Sequence, residues 1–550
     1  MKARELIGLS LLLLVGCGSS GGNTGIVAET CSPAELLAIS AVQGTGAVSP
    51  WVGQQVSVAG VVTAAQEASG VFGFFMEDPE RLGQASGASD GIFVYTGDQP
   101  AGVKPGQWVQ VTGKVQEHYE LTEIGAGSQV EICGSARVPA PVKFQAPMEW
   151  EAVEGMRVSV AGLFATAATN HYGEATLYQE PYLYSGQGVA ASQLARLGPP
   201  LSGDPLDIAA GQEVSALGPV TYSYGKYLIL PQEYDSQGPG RGSPLPEWES
   251  GLRVVSFNAE NFFTTLSGEN QNARGPATEA DYQVKRAKMG QVFANLEADL
   301  YALIEIENDG AEMGLDGEKA LNELVNLAGT DYQGLRLAGG TDAIQVGFIY
   351  NSKELELVEA ENFQGCWDGT VASTILLESV SDTCPTGLEP AFKRLPLAAT
   401  FRHEGEEFVA IAQHWKSKSG DSAGTEAERV ASAQLTQEIV KRYRDYGEDQ
   451  ILLLGDFNAY SGEEPIENLV EAGFNDLAAE LPVEQSYTYA FNGELGALDH
   501  ALASSEIAPA IEGIWIWHLA TSWPYPVYHP DPESPYAASD HDAIALELKF

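Results

Sequence analysis

Six short phrases between residues 254 and 543 each set polar side chains at the end of an apolar run. "VVSFNAEN" delivers Asn258 and Glu260. "LIEIEND" places Glu305 in an apolar run, with Glu307 two residues on and so on the same face of an extended strand. "FVAIAQHWKSK" delivers His414, Lys416 and Lys418, and "ILLLGDFNA" delivers Asp456 and Asn458, again two apart. "ALDHALA" carries Asp499, and "SDHDA" carries Asp540 and His541. Taken singly, each has an ordinary reading: a Gly-Asp pair is usually a turn, and a lone His or Asn is usually satisfied locally. Together they form a coherent kit. Carboxylates and an Asn amide oxygen are hard ligands suited to Mg²⁺ or Ca²⁺. Such an ion beside a phosphate offsets the charge on its oxygens. Two histidines with carboxylate partners exchange protons near neutral pH. A His-based zinc site is disfavoured, because the donors are mostly oxygen and no H-E-x-x-H occurs. G-x-S-x-G starts at Gly18 and Gly420, but neither follows a strand through a sharp turn, so a serine nucleophile is disfavoured too.

These phrases need elements to bring them together. Residues 249–550 alternate strand and helix signals, as an α/β unit does. Strands are expected at Leu252–Phe257, Leu300–Ile306, Ala343–Tyr350, Leu395–Phe401, Phe408–Gln413, Ile451–Leu454, Leu498–Ala503 and Ala543–Leu548. Helices are expected at Asp281–Glu297 and Glu426–Tyr446, the second opened by a capping box from Thr425 to Glu428. Upstream, short alternating runs separated by Gly, Pro and Asp turns fill 31–138 and again 139–245. "VGQQVSVAGVVT" in the first and "EGMRVSVAGLFAT" in the second read as a divergent internal repeat. The Gly/Pro-rich stretch Ser236 to Trp248 is the best boundary in the chain.

The phrases from Leu252 to Phe550 resemble the endonuclease/exonuclease/phosphatase superfamily, the fold of pancreatic-type deoxyribonuclease. "QHWKSKSG", "GDFNAY", "SYTYAFNGELGALDHALAS" and "SDHD" more closely resemble large secreted bacterial nucleases that also carry an OB-fold module. The resemblance implies a multidomain chain: OB-like modules at 31–138 and 139–245, then a four-layer α-β-β-α sandwich over 246–550. It implies Glu305 as a metal ligand, Glu260 as a further acidic group near the metal, and Asp540 as another metal- or phosphate-site ligand. Asn258 would bind the scissile phosphate. Asp456 and Asn458 would orient the water nucleophile and the phosphate. Asp499 would orient His541, and His414 would be the second catalytic histidine. Lys416 and Lys418 are candidate contacts to the phosphate backbone, with Arg429 a weaker one. Trp415 either stacks on a base or sugar or packs internally. Phe74, Phe75, Tyr95 and Tyr119 are the first module's aromatics for single-strand contact, although basic residues there are sparse.

The remaining features concern place and charge. Lys2 and Arg4 precede an apolar run from Leu6 to Val15 that ends Leu-Val-Gly-Cys, resembling a bacterial lipobox. Cleavage before Cys17 and its lipidation are therefore expected, with 18–30 as a flexible tether and an exported lipoprotein at the outer membrane or cell surface as the result. The other four cysteines suit an oxidising compartment; of three possible pairings, Cys31–Cys133 with Cys366–Cys384 is the local one. The expected activity is a metal-dependent endonuclease acting as a monomer on extracellular DNA, possibly RNA. Magnesium is the first choice of metal, with calcium or manganese as alternatives. Sphingomyelinase-like or inositol-phosphate phosphatase-like activity, or an inactive surface binding protein, are the alternative readings. The net charge of −46 argues against general electrostatic attraction to nucleic acid. It requires that a metal and a few local cations hold a polyanion. Repulsion over the rest of the surface is screened within about 8–10 Å near physiological ionic strength. Cleavage is accordingly expected to hold or rise from low salt to seawater-like salt, and a steep fall in an agarose-gel assay would contradict this.

Overall fold

The computed structural model describes residues 27–550 except 29–30, 32–34, 68–70, 82, 84–86, 243, 309–313, 421 and 526–529. The expected export signal, Cys17 and most of the expected tether lie outside the described residues. Val27–Ala28, at the tether's end, pairs as a strand with Gln129–Ser135. No described helix is long and apolar enough to cross a membrane. Cys31 is joined to Cys133 and Cys366 to Cys384.

The first β-rich stretch closes on itself. Strands Gln55–Gln66, Phe72–Glu77, Gly91–Gly97, Leu121–Ile124 and Gln107–His118 are each bonded to the next, and the last pairs back with the first. The contact between Gly91–Gly97 and Leu121–Ile124 is parallel and the others are antiparallel. Alternation in the first strand sends Val56, Val58 and Val62 inward, where Phe74, Met76, Val94 and Ile124 meet them. The second stretch repeats this circuit with Arg157–Ala165, Ala175–Tyr178, Ala195–Leu197, Lys226–Ile229 and Glu213–Ser223, again with the third and fourth in parallel. The two similar phrases fall on the opening strand of each ring, so what repeats is a whole unit of fold.

Packing between the rings changes what their aromatics can do. Phe74 lies inside the first barrel. Phe75 and Phe93 are buried against Leu230, with Tyr222 and Leu201 beside them. Neither Phe74 nor Phe75 is therefore available to a nucleic acid, contrary to expectation; Tyr95 is half-buried, and Tyr119 stands free in solvent. The extended pattern places phenylalanines on alternate faces, but only the neighbouring barrel decides that the outer face is covered.

Beyond residue 250 two six-stranded sheets face each other. One runs Tyr332–Leu335, Ile344–Asn351, Leu300–Glu307, Leu252–Phe262, Ala543–Leu548, Ile511–Trp517. The other runs Glu356–Asn362, Leu397–His403, Glu406–His414, Ile451–Asp456, Asp499–Ser504, Phe474–Asp476. Val254, Ile304, Phe348 and Leu546 of the first share a core with Phe401, Ala410, Leu454 and Ala501 of the second. Each sheet holds one parallel pair, Leu252–Phe262 with Leu300–Glu307 and Glu406–His414 with Ile451–Asp456. Parallel neighbours require a crossover. Helix Glu279–Leu296 makes the first, packing Met289 and Phe293 on the sheet's outer face. Helix Ser422–Asp445 makes the second, packing Ile439, Val440 and Tyr443 on the other sheet. Strands buried on both faces read as continuous apolar runs, which is why "VVSF", "FVAIA" and "ILLL" look as they do. The second helix starts at Ser422, three residues before the expected cap, so Thr425 lies inside it and does not start it.

The second barrel is fastened to the sheets. Backbone bonds join Ser185 to Leu495 (2.9 Å), Leu495 to Leu183 (2.7 Å) and Tyr525 to Thr169 (3.1 Å). Arg241, in the Gly/Pro-rich boundary segment, stacks its guanidinium 4.1 Å from the Tyr182 ring centre and donates to Tyr487 Oη and Thr166 O. Between the two barrels, Glu154 is buried and accepts from Thr122 N at 3.0 Å. Burial, and then the nearby Glu151 charge, pushes its carboxyl up from 4.5 to about 8. A raised carboxyl pKa means that the folded state binds more protons than the unfolded one between those values. Its contribution is thus fully present below the unfolded value and is lost as pH rises through about 8. Glu154→Gln, neutral throughout, is expected to be more stable than the parent at about pH 8.5 by about 1–3 kcal/mol and similar to it at about pH 5, measured by urea unfolding.

Candidate active site

The two parallel pairs deliver their C-terminal ends to the same place. Asn258 is fully buried, and its amide nitrogen lies 3.2 Å from Asp456 Oδ2 and 3.4 Å from Glu305 Oε1. One side chain thus ties the first sheet to the second. The strands leave the regular pleat to achieve this. Glu260 and Asn261 have φ of 48°, Glu305 has φ of 62°, and the pairing register shifts between Asn258 and Phe262 and between Leu303 and Ile306. Such bulges re-aim side chains beside active sites. Glu305 Oε2 accepts from Asn261 N at 3.0 Å. Glu307 does not share the face of Glu305 as simple alternation predicts. It is buried and accepts from Thr264 N (2.8 Å) and Thr264 Oγ1 (3.0 Å), holding the following loop.

In the second sheet, His414 and Asp456 are opposite each other in register. Gly455 is needed for that pairing: its φ is +144°, and a Cβ there would come within 2.0 Å of Gln413 O. His414 Nε2 lies 3.5 Å from Asp456 Oδ2 and 3.8 Å from Glu305 Oε1, while its Nδ1 is buried without a partner. Asn458 is not extended from Asp456; with φ of 51° it turns back, its N–H donating to Asp456 Oδ1 (2.9 Å) and its amide to Trp415 O (3.3 Å). His541 Nδ1 is 2.7 Å from Asp499 Oδ2. Asp540 precedes it and feels the charges of Glu260 and Glu305.

The electrostatics separate the two histidines. Burial pulls His541 down, but Asp499 and then Asp540 and Asp456 overcome it, leaving the ring well above its ordinary value and cationic near neutral pH. His414 goes the other way: burial, reinforced by Arg394, His541 and Arg274, outweighs the two nearby carboxylates and keeps it neutral. Asp456 and Asp540 are each pushed up to about 7, first by burial and then by neighbouring acid.

Acidic and histidine groups that could hold a divalent ion are therefore present. Glu305, His414 and Asp456 form one tight set, and Asp456, Asp499 and His541 another. The oxygen-rich donors, the mutual crowding of the carboxylates and the unpartnered Asp499 Oδ1 fit a hard cation. Glu260 is already engaged, with Lys285 Nζ 3.0 Å away and the Tyr525 hydroxyl donating to its other oxygen. Neither Glu260 nor Asp540 belongs to a tight set among the described residues.

The cations differ from one another. Lys416 makes one hydrogen bond, to Ser417 Oγ at 3.4 Å, and is the freest. Lys418 is held by both oxygens of Glu463, at 2.7 and 2.6 Å. Arg429 is buried and donates to Lys416 O (3.2 Å) and Ser417 O (3.4 Å), so it shapes the loop and does not face a ligand. Trp415 is internal, edge-on to Phe457 at 4.6 Å. Several residues here have no motif to mark them: Lys285, Arg394 and Tyr525. Tyr489, within "SYTYAFNGELGALDHALAS", sets its ring 4.6 Å from that of His541. Ser539 was visible in "SDHDA" but had no assigned role; its Oγ donates to Asn258 O at 2.7 Å and accepts from His541 N, binding the last motif to the first. Asp542, in the same phrase, holds His518 Nδ1 at 2.9 Å.

Solved structures that resemble part of the chain each cover about half of it. An endonuclease/exonuclease/phosphatase from Bacteroides vulgatus covers 55% of this chain and 100% of its own, at 17% identity and TM-score 0.38. A mannosyl-6-phosphatase from Bacteroides thetaiotaomicron covers 54% and 100%, at 17% identity and TM-score 0.37. The human Nocturnin catalytic domain with bound sulfate covers 56% and 97%, at 15% identity and TM-score 0.36. No family model matches the chain, and no curated protein does.

Because Arg429 holds the carbonyls of the 416–417 loop, Arg429→Ala is expected to free it. Trypsin nicking after Lys416 or Lys418 should accelerate about tenfold, equivalent to ~1.4 kcal/mol less resistance to local opening. Unchanged nicking, followed by mass spectrometry, would assign Arg429 no part in shaping the loop.

Proposed function

We propose that the chain is a metal-dependent phosphodiesterase that cleaves nucleic acid outside the cell, DNA first and RNA as a further substrate. One observation carries this reading: Asn258, Glu305, His414, Asp456, Asp499 and His541, from motifs far apart in sequence, converge through contacts of 2.7–3.8 Å. The paired sheets with helices on their outer faces support the four-layer sandwich reading. The two closed five-stranded rings support the OB-like reading of the upstream modules. Export as a lipoprotein anchored through Cys17 belongs to the same proposal and rests on the N-terminal sequence.

The chemistry follows from environments that push titrating groups apart. Glu305, with Asp540 and Asp456 near it, would hold the ion, magnesium by preference for hard oxygen donors. Bound there, a divalent ion supplies positive charge to the phosphate oxygens. Asn258 and Asn458 offer amide hydrogens to those oxygens. Asp456 orients the attacking water, with His414 kept neutral beside it. His541 is charged and locked by Asp499, and its Nε2 has no hydrogen-bond partner among the described residues. It stabilises the oxyanion or donates to the leaving oxygen.

Plasmid DNA, RNA, sphingomyelin and an inositol phosphate, each tested with Mg²⁺, Mn²⁺ or Ca²⁺, form the deciding panel. Cleavage of nucleic acid is expected, abolished by EDTA and lowered about 10²–10⁴-fold in His541→Ala. No nucleic-acid cleavage with any of the three ions would overturn the reading. Turnover of the lipid or the inositol phosphate alone would move the assignment to the alternative substrates.

A further inference from the structure

We propose that the cavity between the second barrel and the two-sheet unit seats an unpaired nucleotide of a single-stranded nucleic acid beside the scissile phosphate. This inference rests on the phosphodiesterase reading and adds the state of its substrate. The cavity has a volume of about 210 Å³ and reaches from Asp540, Ser539 and Tyr525 at the reaction centre to Arg196 and Lys226 on the barrel. That is below the ~300–1,000 Å³ of sites for drug-sized ligands. That volume suits one base with part of its sugar.

Its chemistry is that of single-strand recognition, which combines aromatic platforms with local cations. Tyr489 lines the cavity with its ring next to His541, so a group bound there is in line with the chemistry. At the outer rim Tyr172 is 65% exposed and Phe491 60%, although large rings are normally sheltered. The Arg196 side chain makes no hydrogen bond or close ion pair among the described residues, and its Nε is buried without a partner. An unsatisfied buried guanidinium nitrogen is costly unless a ligand completes it. Arg196 also lines an adjoining cavity of about 340 Å³, where Tyr222, Tyr224 and Trp150 offer further rings. Lys226 is 2.5 Å from Glu174, so that acid is neutralised within the wall. In a chain with 29 Lys and Arg against 75 Asp and Glu, two of the cations, Arg196 and Lys226, stand with aromatic rings in the wall of this cavity.

The test uses the full chain in the His541→Ala background with Mg²⁺, so that binding is read without cleavage. Fluorescence anisotropy compares a short labelled single strand with its duplex. Tyr172→Ala and Arg196→Ala are each expected to weaken single-strand binding about tenfold and leave duplex binding within about twofold, and Arg196→Lys to recover part of the loss. Tyr172 is exposed, so its substitution does not threaten folding, and a thermal melt checks the Arg196 variants. Single-strand binding unchanged in Tyr172→Ala, or equal losses for single strand and duplex, would overturn the inference. Hydrolysis of bis(4-nitrophenyl) phosphate by the parent chain tests the underlying reading separately. Hydrolysis without preferential single-strand binding refutes the pocket alone. Tyr172-dependent binding without hydrolysis of any phosphoester refutes the activity alone.

Discussion

The arrangement hangs on acid packed where water is scarce. Glu260, Glu305, Asp456, Asp499 and Asp540 crowd together with two histidines, and burial with the neighbouring acid raises the cost of ionising Asp456 and Asp540. The fold offsets this with specific partners. Asn258 donates to two carboxylates at once, Lys285 pairs with Glu260, and His541 is held cationic by Asp499. The site lies at the ends of two parallel strand pairs, one from each sheet, that meet across a shared core. Bending the strand ends towards each other costs regular pairing, and the bulges at 258–262 and 303–306 are where that cost is taken.

The upstream barrels matter through what they cover and what they leave open. The first turns an aromatic face onto the second, and burial there removes Phe75 and Phe93 from any ligand. The second is fixed to the sheets by backbone bonds and by Arg241, and a cavity remains between them that opens towards Asp540. A cavity between two joined units is a common place for ligand recognition, because each supplies one wall. The acidity of the chain is compatible with this, since Arg196, Lys226 and Lys285 stand at the cavity and the centre.

Much of the strand framework was legible because its signals are local. Strands buried on both faces read as unbroken apolar runs, and the crossovers between parallel neighbours had to be helices. Ile451 to Leu454 and Ala543 to Leu548 are strands for that reason. The helix start at Ser422 was less legible, because a capping pattern at Thr425 is equally compatible with a helix already under way. Glu307 was placed on the face of Glu305 by simple alternation, and a bulge of one residue separated them. Arg429 looked like a contact for phosphate by its charge, but burial turned it to the loop's carbonyls.

The sequence by itself determined which chemical groups exist and the order in which strands present them: Asn258, Glu305, His414 and Asp456 lie within or at the end of apolar runs, and Asp499 and His541 stand at or just before the start of one. Tertiary structure decided which of them touch, because contacts such as Asn258 to Asp456 span 198 residues and depend on two sheets meeting. It decided which histidine is charged, since that depends on burial and neighbouring charge and not on residue type. It also decided that Lys285 and Tyr525 stand at the centre. Side chains without a motif acquire a role only when a loop or helix from elsewhere brings them there.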